Sequence, residues 1–180
     1  TISRASRQAE FPARFQLIGA MNPSPTGDYK DGRSSPDQVL RYLNRLSGPF
    51  LDRIDIQLEV PRLPKGTLTG DDPQRGESSE VVRQRVIYSR NVQLQRAGKP
   101  NALLSSREVD LFCPLSACDA MFLEDALEKL NLSTRAYHKI LKVSRTIADL
   151  SQQQQISREN LCEALGYRAM DRLIQRLKSV

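Results

Sequence analysis

Asn22, Arg53 and Arg135 are the side chains whose type and position suit phosphate chemistry. Asn22 ends the run Ala13-Arg14-Phe15-Gln16-Leu17-Ile18-Gly19-Ala20-Met21 and is followed at once by Pro23. Phe15 to Met21 is nearly all apolar, the pattern of a strand covered on both faces. Open α/β sheets place their ligands at the C-terminal ends of such strands. An amide there can orient a water or contact a phosphate; it can equally cap the turn Ser24-Pro25-Thr26-Gly27-Asp28. Arg53 stands between Asp52 and Asp55, so it either pairs with them, at little gain for exposed groups, or aims a cation at an anionic ligand. Arg135 opens a helix, where the positive end of the dipole favours acids. A cation set against that preference is either solvated or kept for a ligand. Phosphoryl transfer asks for such residues, because it needs cations and donors around the migrating charge rather than covalent help. Arg145, ten residues further on, reads first as a helix-face residue and second as a further cation for the same task.

The elements that must position these residues fall into two groups. Thr1 to Arg7 has the short alternation of one arm of a β-hairpin, Phe11 to Met21 gives the strand that carries Asn22, and Gly27 to Pro36 is a loop. Ser35-Pro36-Asp37 starts a helix, in which Val39, Leu40, Leu43 and Leu46 keep helical spacing until Ser47-Gly48-Pro49 ends it. Ile54, Ile56, Leu58 and Val60 alternate with Asp55, Gln57 and Glu59, so a second strand is expected over 54–60. Pro61 to Gly76 holds three prolines and three glycines and reads as a linker. Beyond it the pattern is helical over 77–97, 106–112, 117–130, 133–150, 158–165 and 169–177, with Ser133 and Ser157 as N-caps. The sequence thus predicts α/β plus all-α: a sheet-bearing part over 1–60, a linker over 61–76 and a helical part over 77–180.

The stretch from Tyr42 to Ile56 contains Gly48-Pro49-Phe50-Leu51-Asp52-Arg53-Ile54-Asp55. Together with Met21-Asn22-Pro23, Leu132-Ser133-Thr134-Arg135 and Val143 to Leu150, it resembles the ComM/YifB family of magnesium-chelatase-like AAA+ ATPases, over nearly the whole chain. The resemblance implies that 1–60 is the closing portion of a AAA+ P-loop NTPase core and 77–180 its helical lid. Asn22 matches the family's sensor-1 amide, which orients the attacking water. Arg53 matches the arginine finger, projected into the adjoining subunit's site, and Arg135 the sensor-2 arginine, which reaches the nucleotide from the lid. The family's relatives carry a pore-lining hairpin before the sensor-1 strand. That makes Arg4 and Arg7 candidates for gripping a nucleic-acid backbone without sequence preference, against the plainer reading of a frayed terminus. ATP and Mg2+ are the cofactors implied for the intact protein, and DNA and a homo-hexamer are the partners. The activity implied is ATP hydrolysis coupled to DNA remodelling of the branch-migration type. Metal insertion, as in magnesium chelatase, and a nucleotide-independent basic helical binding module are the alternatives.

The sequence departs from the family in one loop. Many members have Cys-Pro-Cys-Gly after the Asn-Pro and a second cysteine pair downstream, a spacing that suits zinc. Here the matching residues are Ser24-Pro25-Thr26-Gly27 and Ser34-Ser35, so no metal is expected. The sequence contains no G-x-x-x-x-G-K-[ST], since Gly98-Lys99-Pro100 lacks the upstream glycine and the hydroxyl. The chain is therefore expected to be a fragment, inactive as an ATPase alone. Cys113, Cys118 and Cys162 are odd in number, against a disulfide framework, and read as buried small hydrophobes rather than zinc ligands. His138 has no carboxylate beside it in sequence and suggests no base. Arg83, Arg85, Arg90 and Arg96 read as a solvated helix face, and Tyr137 and Tyr167 either touch a nucleotide base or simply pack. No apolar run approaches the roughly 20 residues of a membrane span, and no signal peptide is visible, so a cytoplasmic location without membrane contact is expected. A formal net charge of +6 permits contact with a polyanion without requiring it.

Overall fold

Six of the described helices begin where the sequence supplies a serine cap. The computed structural model describes residues 2–4, 7–12, 15–29, 32–46, 48–61, 63 and 76–178. Its elements are β1 (Ile2–Arg4), β2 (Arg7–Ala9), α1 (Pro36–Leu43), α2 (Gly48–Leu51), α3 (Ser79–Ala97), α4 (Ser106–Phe112), α5 (Ala117–Lys129), α6 (Thr134–Leu150), α7 (Arg158–Gly166) and α8 (Ala169–Lys178). A single 3-10 turn, Asn101–Leu103, joins α3 to α4. The side chains of Ser35, Ser78, Ser105, Ser116, Ser133 and Ser157 each accept a bond from a backbone N–H three residues on. Gln38, Glu108 and Asn160 return it to the cap's own N–H. Helix α3 stops at Gly98, whose φ of 68° is a left-handed conformation that a Cβ would disfavour.

Helix α6 is the centre of the packing. Ala136, Ile140, Leu141, Ile147 and Ala148 fall on one buried face, at the spacing of an amphipathic helix. Of these, Ile140, Leu141 and Ile147 join Val109 of α4, Leu123 of α5 and Leu161 and Ala164 of α7 in one core, with Leu104, Cys113 and Ile156 from the connections. Leu123, Val109 and Leu161 are completely shielded from solvent, each contributing about 1.5–3 kcal/mol relative to exposure. A second cluster joins Val39 and Leu43 of α1 to Leu173 of α8, with Tyr29, Tyr42 and Met170 against it. Through α8 the first part of the chain is tied to the helical part.

Two expected strands do not form. Segment 15–22 has no strand partner among the described residues, and Phe15, Leu17 and Ile18 are 75%, 58% and 84% exposed. The expected strand over 54–60 is reduced to one parallel bridge, Gln57 with Arg168. An extended segment becomes a strand only when its N–H and C=O groups find a neighbour, and among the described residues the sole sheet is the hairpin β1–β2. There Ile2 faces Ala9, Ser3 faces Gln8 and Arg4 faces Arg7. The AAA+ α/β core is therefore not seen as a sheet; the architecture is mostly helical. The linker expected over 61–76 lies largely outside the described residues. No helix among those described is long and apolar enough to cross a membrane.

Three expectations about side chains are corrected. Of the cysteines only Cys113 is buried, while Cys118 and Cys162 are exposed, because they lie on the outer faces of α5 and α7. Arg145 is not an outward helix-face residue: it is 2% exposed and donates to the Asp149 carboxylate, 3.1 Å, and to the carbonyls of Gln153 and Gln154. Arg96 is not on a solvated face either, since it grips both Asp149 oxygens at 2.7 and 2.6 Å and Asn101 Oδ1 at 2.9 Å. Arg83 and Arg85, in contrast, make exposed pairs with Glu80 and Glu77, as a solvated face should.

One cap gives the fold a pH signature. Glu108 accepts from Lys99 Nζ, from the Ser105 N–H and from the Ser105 hydroxyl, each at 2.8 Å. The Lys99 bond first, then the two from Ser105, pull its pKa down to about 2. A depressed carboxylate adds stability above its unfolded pKa and loses it as pH falls through the folded one. Glu108→Gln is thus expected to lower the melting temperature at pH 7, with the gap to wild type closing as pH drops from about 4.5 toward 2. Calorimetry across that range checks it; a gap independent of pH contradicts it.

Candidate functional site

Leu51 is the buried anchor of the Leu-Asp-Arg segment, which leaves helix α2 through turns closed by Arg53 N–H on Phe50 O, 2.9 Å, and Ile54 N–H on Leu51 O, 3.0 Å. The next residues are held from two sides. From α6, the Ser133 hydroxyl donates to Asp52 Oδ1, 3.1 Å, and Arg135 Nη1 lies 3.6 Å from Asp52 Oδ2. One turn further along α6, Lys139 Nζ donates to the Arg53 carbonyl, 2.6 Å, and to Asp55 Oδ1, 2.7 Å. From the α7–α8 turn, the buried Arg168 donates through Nη1 to Ile54 O, 2.9 Å, and through Nε to Asp171 Oδ2, 2.6 Å. Gln57 completes the clamp: its N–H donates to Tyr167 O and its carbonyl accepts from Ala169 N–H.

The electrostatics explain why the Asp52 carboxylate sits at the start of α6. That end of the helix presents unsatisfied N–H groups and a positive dipole, and α6 has no acidic residue in its own first turn. Asp52 supplies the missing charge from 81 residues away. Arg135 can therefore occupy a dipole-disfavoured position without isolation. Its side chain is 63% exposed, and 3.6 Å is beyond hydrogen-bond length, so this ion pair is weak and exchangeable. Arg53 is exposed as well, its Nη1 donating to Pro49 O at 2.8 Å. Chemically, the junction carries two exposed guanidinium groups, Arg135 beside the Asp52 carboxylate and Arg53 on the Pro49 carbonyl.

Arg53 and Arg135 are thus brought to one junction, and Asn22 is not. Asn22 lies exposed on the segment that forms no strand, and no hydrogen bond or ion pair among the described residues links it to either arginine. Arg4 and Arg7 are cross-strand partners in the hairpin register. Tyr137 and Tyr167 both pack against the main core, and Tyr167 donates to Glu163 at 2.6 Å. His138 contacts Thr134 O and stacks edge-on with Tyr137. Sequence reasoning missed Lys139 and Arg168, which hold the Leu-Asp-Arg segment to the helices, and it offered Asp55 as a partner of Arg53, whereas Asp55 pairs with Lys139. Lys139 was findable, since it stands four residues after Arg135 on the same helical face; Arg168 carries no local signal.

Among the described residues, no group of three or more His, Cys, Asp or Glu could hold a metal ion. In the loop 24–35, the positions where the family carries cysteines are occupied by hydroxyls that meet: Ser24 Oγ is 3.2 Å from Thr26 Oγ1, which is 3.1 Å from Ser34 Oγ.

The chain belongs to the magnesium chelatase ChlI family: the description "Magnesium chelatase, subunit ChlI C-terminal" matches residues 76–168, and "Magnesium chelatase, subunit ChlI" matches residues 1–68. Among its relatives is the competence protein ComM of Haemophilus influenzae, 60% identical over 99% of this chain and 35% of the relative. YifB of Escherichia coli K12 and YifB of Salmonella typhimurium are each 51% identical over 99% of this chain and 36% of their own length. The chain spans about a third of the length of these curated relatives.

Proposed function

We propose that the chain is part of a ring-forming AAA+ ATPase, a homo-hexamer acting in the cytoplasm, that couples ATP hydrolysis to DNA remodelling. The observation that supports this reading is the Asp52 junction, where the exposed Arg135 lies 3.6 Å from the carboxylate of the residue that precedes the exposed Arg53. Two such cations suit the edge of a nucleotide site, where charge develops on a phosphoryl group and donors set in advance stabilise it. The phosphate loop is not in this sequence, so the cradle for the nucleotide belongs to residues other than these. ATP with Mg2+ supplies the transferable phosphoryl group. Arg135 exchanges its weak contact with Asp52 for a phosphate oxygen, Arg53 offers its guanidinium to the site of an adjoining copy, and Asn22 orients the attacking water. Arg4 and Arg7, paired across the hairpin, meet the DNA backbone. The relative named a competence protein supports DNA as the substrate.

A second reading, a metal-insertion motor, is favoured by the family description, which names magnesium chelatase. The test is steady-state ATP hydrolysis by the intact protein with DNA, with a porphyrin, and with neither. Stimulation by DNA alone is expected. Stimulation by porphyrin alone would replace the DNA reading with metal insertion. No hydrolysis under any condition would sink both and leave a nucleotide-independent binding module.

A further inference from the structure

Two helices begin on the Leu-Asp-Arg segment. The start of α6 holds Asp52, and the start of α8 holds Ile54 through Arg168, the residue just before Ala169. Of the fully buried side chains among the described residues, that of Arg168 is the largest. Its place is doubly unfavourable for a cation. Taking a guanidinium out of water is costly, and the start of a helix is the positive end of its dipole. Asp171, in the first turn of α8, offsets both by accepting from Arg168 Nε at 2.6 Å.

The turn between α7 and α8 has closures of its own that do not use this guanidinium. Tyr167 N–H donates to Glu163 O and Arg168 N–H to Leu165 O, both at 3.2 Å, and Arg172 donates to Gly166 O at 2.6 Å. What the Arg168 side chain adds is a bond across 114 residues, from Nη1 to Ile54 O at 2.9 Å. That bond completes a set. The N–H groups of Arg53 and Ile54 donate to Phe50 O and Leu51 O, while Lys139 and Arg168 hold the two carbonyls. Each residue has two soft backbone dihedrals, so fixing both polar groups of Arg53 and of Ile54 sets the direction in which the Arg53 side chain leaves the backbone. The two side-chain holds differ in stiffness. Lys139 reaches in as a point charge on a flexible stem, whereas Arg168 is a planar fork, buried and locked by Asp171. Beside it, Gln57 N–H donates to Tyr167 O at 2.7 Å and Ala169 N–H to Gln57 O at 3.2 Å, which fixes the register of the segment against the turn.

We propose that Arg168 is a positioning residue for Arg53: through the Ile54 carbonyl it aims the exposed Arg53 guanidinium and makes that aim follow the α7–α8 turn. A shift of the helical part then moves the cation, and the state of one subunit's helices is felt at the neighbouring nucleotide. Arg168 itself stays buried and acts only through the backbone of Ile54. The inference rests on the ATPase reading above, in which Arg53 serves an adjoining copy, and its test separates the two.

The test is steady-state ATP hydrolysis by the intact protein for wild type, Arg168→Met, Arg168→Lys, Arg53→Ala and the double variant Arg53→Ala/Arg168→Lys. Arg168→Lys keeps a charge for Asp171 and most of the bulk but cannot span both partners, so it carries the test where the methionine variant fails to fold. Its kcat should fall by about 10²-fold, the cost of a misplacement on the order of 1 Å. KM for ATP should stay within about twofold, as expected when the lost interaction is made only in the transition state. The double variant should be no slower than Arg53→Ala alone, because residues that act as a unit do not add. Mixed with wild type, Arg168→Lys subunits should regain hydrolysis at their own nucleotide, as a defect in aiming at a neighbour requires. A double variant slowed by the full factor of each change overturns the inference and leaves Arg168 a purely structural brace. So does an Arg168→Lys kcat within about twofold of wild type, some 0.4 kcal/mol of barrier. Both outcomes leave the ATPase reading standing. Wild-type rates in Arg53→Ala, or no hydrolysis by wild type, overturn that reading and the inference with it.

Discussion

Arg53→Ala in the intact protein is expected to lower ATP turnover by about 10³-fold or more, the usual effect of removing an arginine finger, with little change in melting temperature. Stability should be nearly untouched because the guanidinium is exposed and its bond in the structure goes to one carbonyl, Pro49 O; surface changes of this kind fall within about 0.5 kcal/mol. The backbone of the segment is held independently of that side chain, by Lys139 on the Arg53 carbonyl and Arg168 on Ile54 O. Arg53→Lys should recover little, since a point charge does not reproduce a planar, two-pronged contact with a phosphate. A finger acts on a neighbour, so Arg53→Ala subunits mixed with wild type should regain hydrolysis at their own nucleotide. Arg135→Ala should also lower turnover, without that recovery if its guanidinium serves its own subunit. Lys139→Ala is the informative companion: it leaves both arginines in place but frees Asp55 and the Arg53 carbonyl, and should lower turnover while binding of nucleotide persists. Steady-state rates on purified and mixed rings decide the matter. A rate for Arg53→Ala within about twofold of wild type, some 0.4 kcal/mol of barrier, would remove the finger from the mechanism.

The helical part of the fold is legible because its signals are local. Serines 78, 105, 116, 133 and 157 stand next to the periodic segments they cap, and a cap needs only the next three residues to act. The strands are not legible, for the opposite reason. Phe15 to Met21 has the composition of a buried strand, but composition describes the face a strand wants covered and cannot supply the neighbour that covers it. The same holds for Ile56, Leu58 and Val60, which are exposed although their alternation with polar residues is regular. The charged residues divide in the same way. The Arg145–Asp149 pair is an i,i+4 contact and could be read from spacing, whereas Arg96 meets Asp149 across 53 residues, which spacing never reveals. At the candidate site, both motifs were visible through the family resemblance. That Asp52 joins them, by lying at the start of α6, is a fact of packing alone.

Asp149→Ala should be the most damaging single substitution for stability, at about 3–5 kcal/mol. The Asp149 side chain is wholly buried and sits between Arg145, 3% exposed, and Arg96, 21% exposed; Asn101 Nδ2 adds a bond at 2.9 Å. Burial pushes the carboxyl up, but the bonds from Arg96 and Asn101 and the charges of the two arginines outweigh it and hold the pKa below the ordinary value. Removing the carboxylate leaves two guanidiniums facing each other in a medium that screens them poorly. Arg96 has no reserve, because its Nε is already buried without a partner among the described residues. The damage should spread to the 151–155 turn, which Arg145 holds by the carbonyls of Gln153 and Gln154. Replacing the whole set with apolar residues (Arg96→Met, Arg145→Met, Asp149→Leu) should recover much of the loss, as such swaps are often near neutral. It should not recover all of it, since those two carbonyls lose their donor. The sign with pH follows from the depressed carboxyl: its contribution is present above the ordinary aspartate range and fades as pH falls below it. Denaturant unfolding of wild type, Asp149→Ala and the triple variant at pH 7 measures these differences. A loss below about 1 kcal/mol for Asp149→Ala, the size of an exposed pair, would show that water reaches this network and that it is not the brace of the helical part.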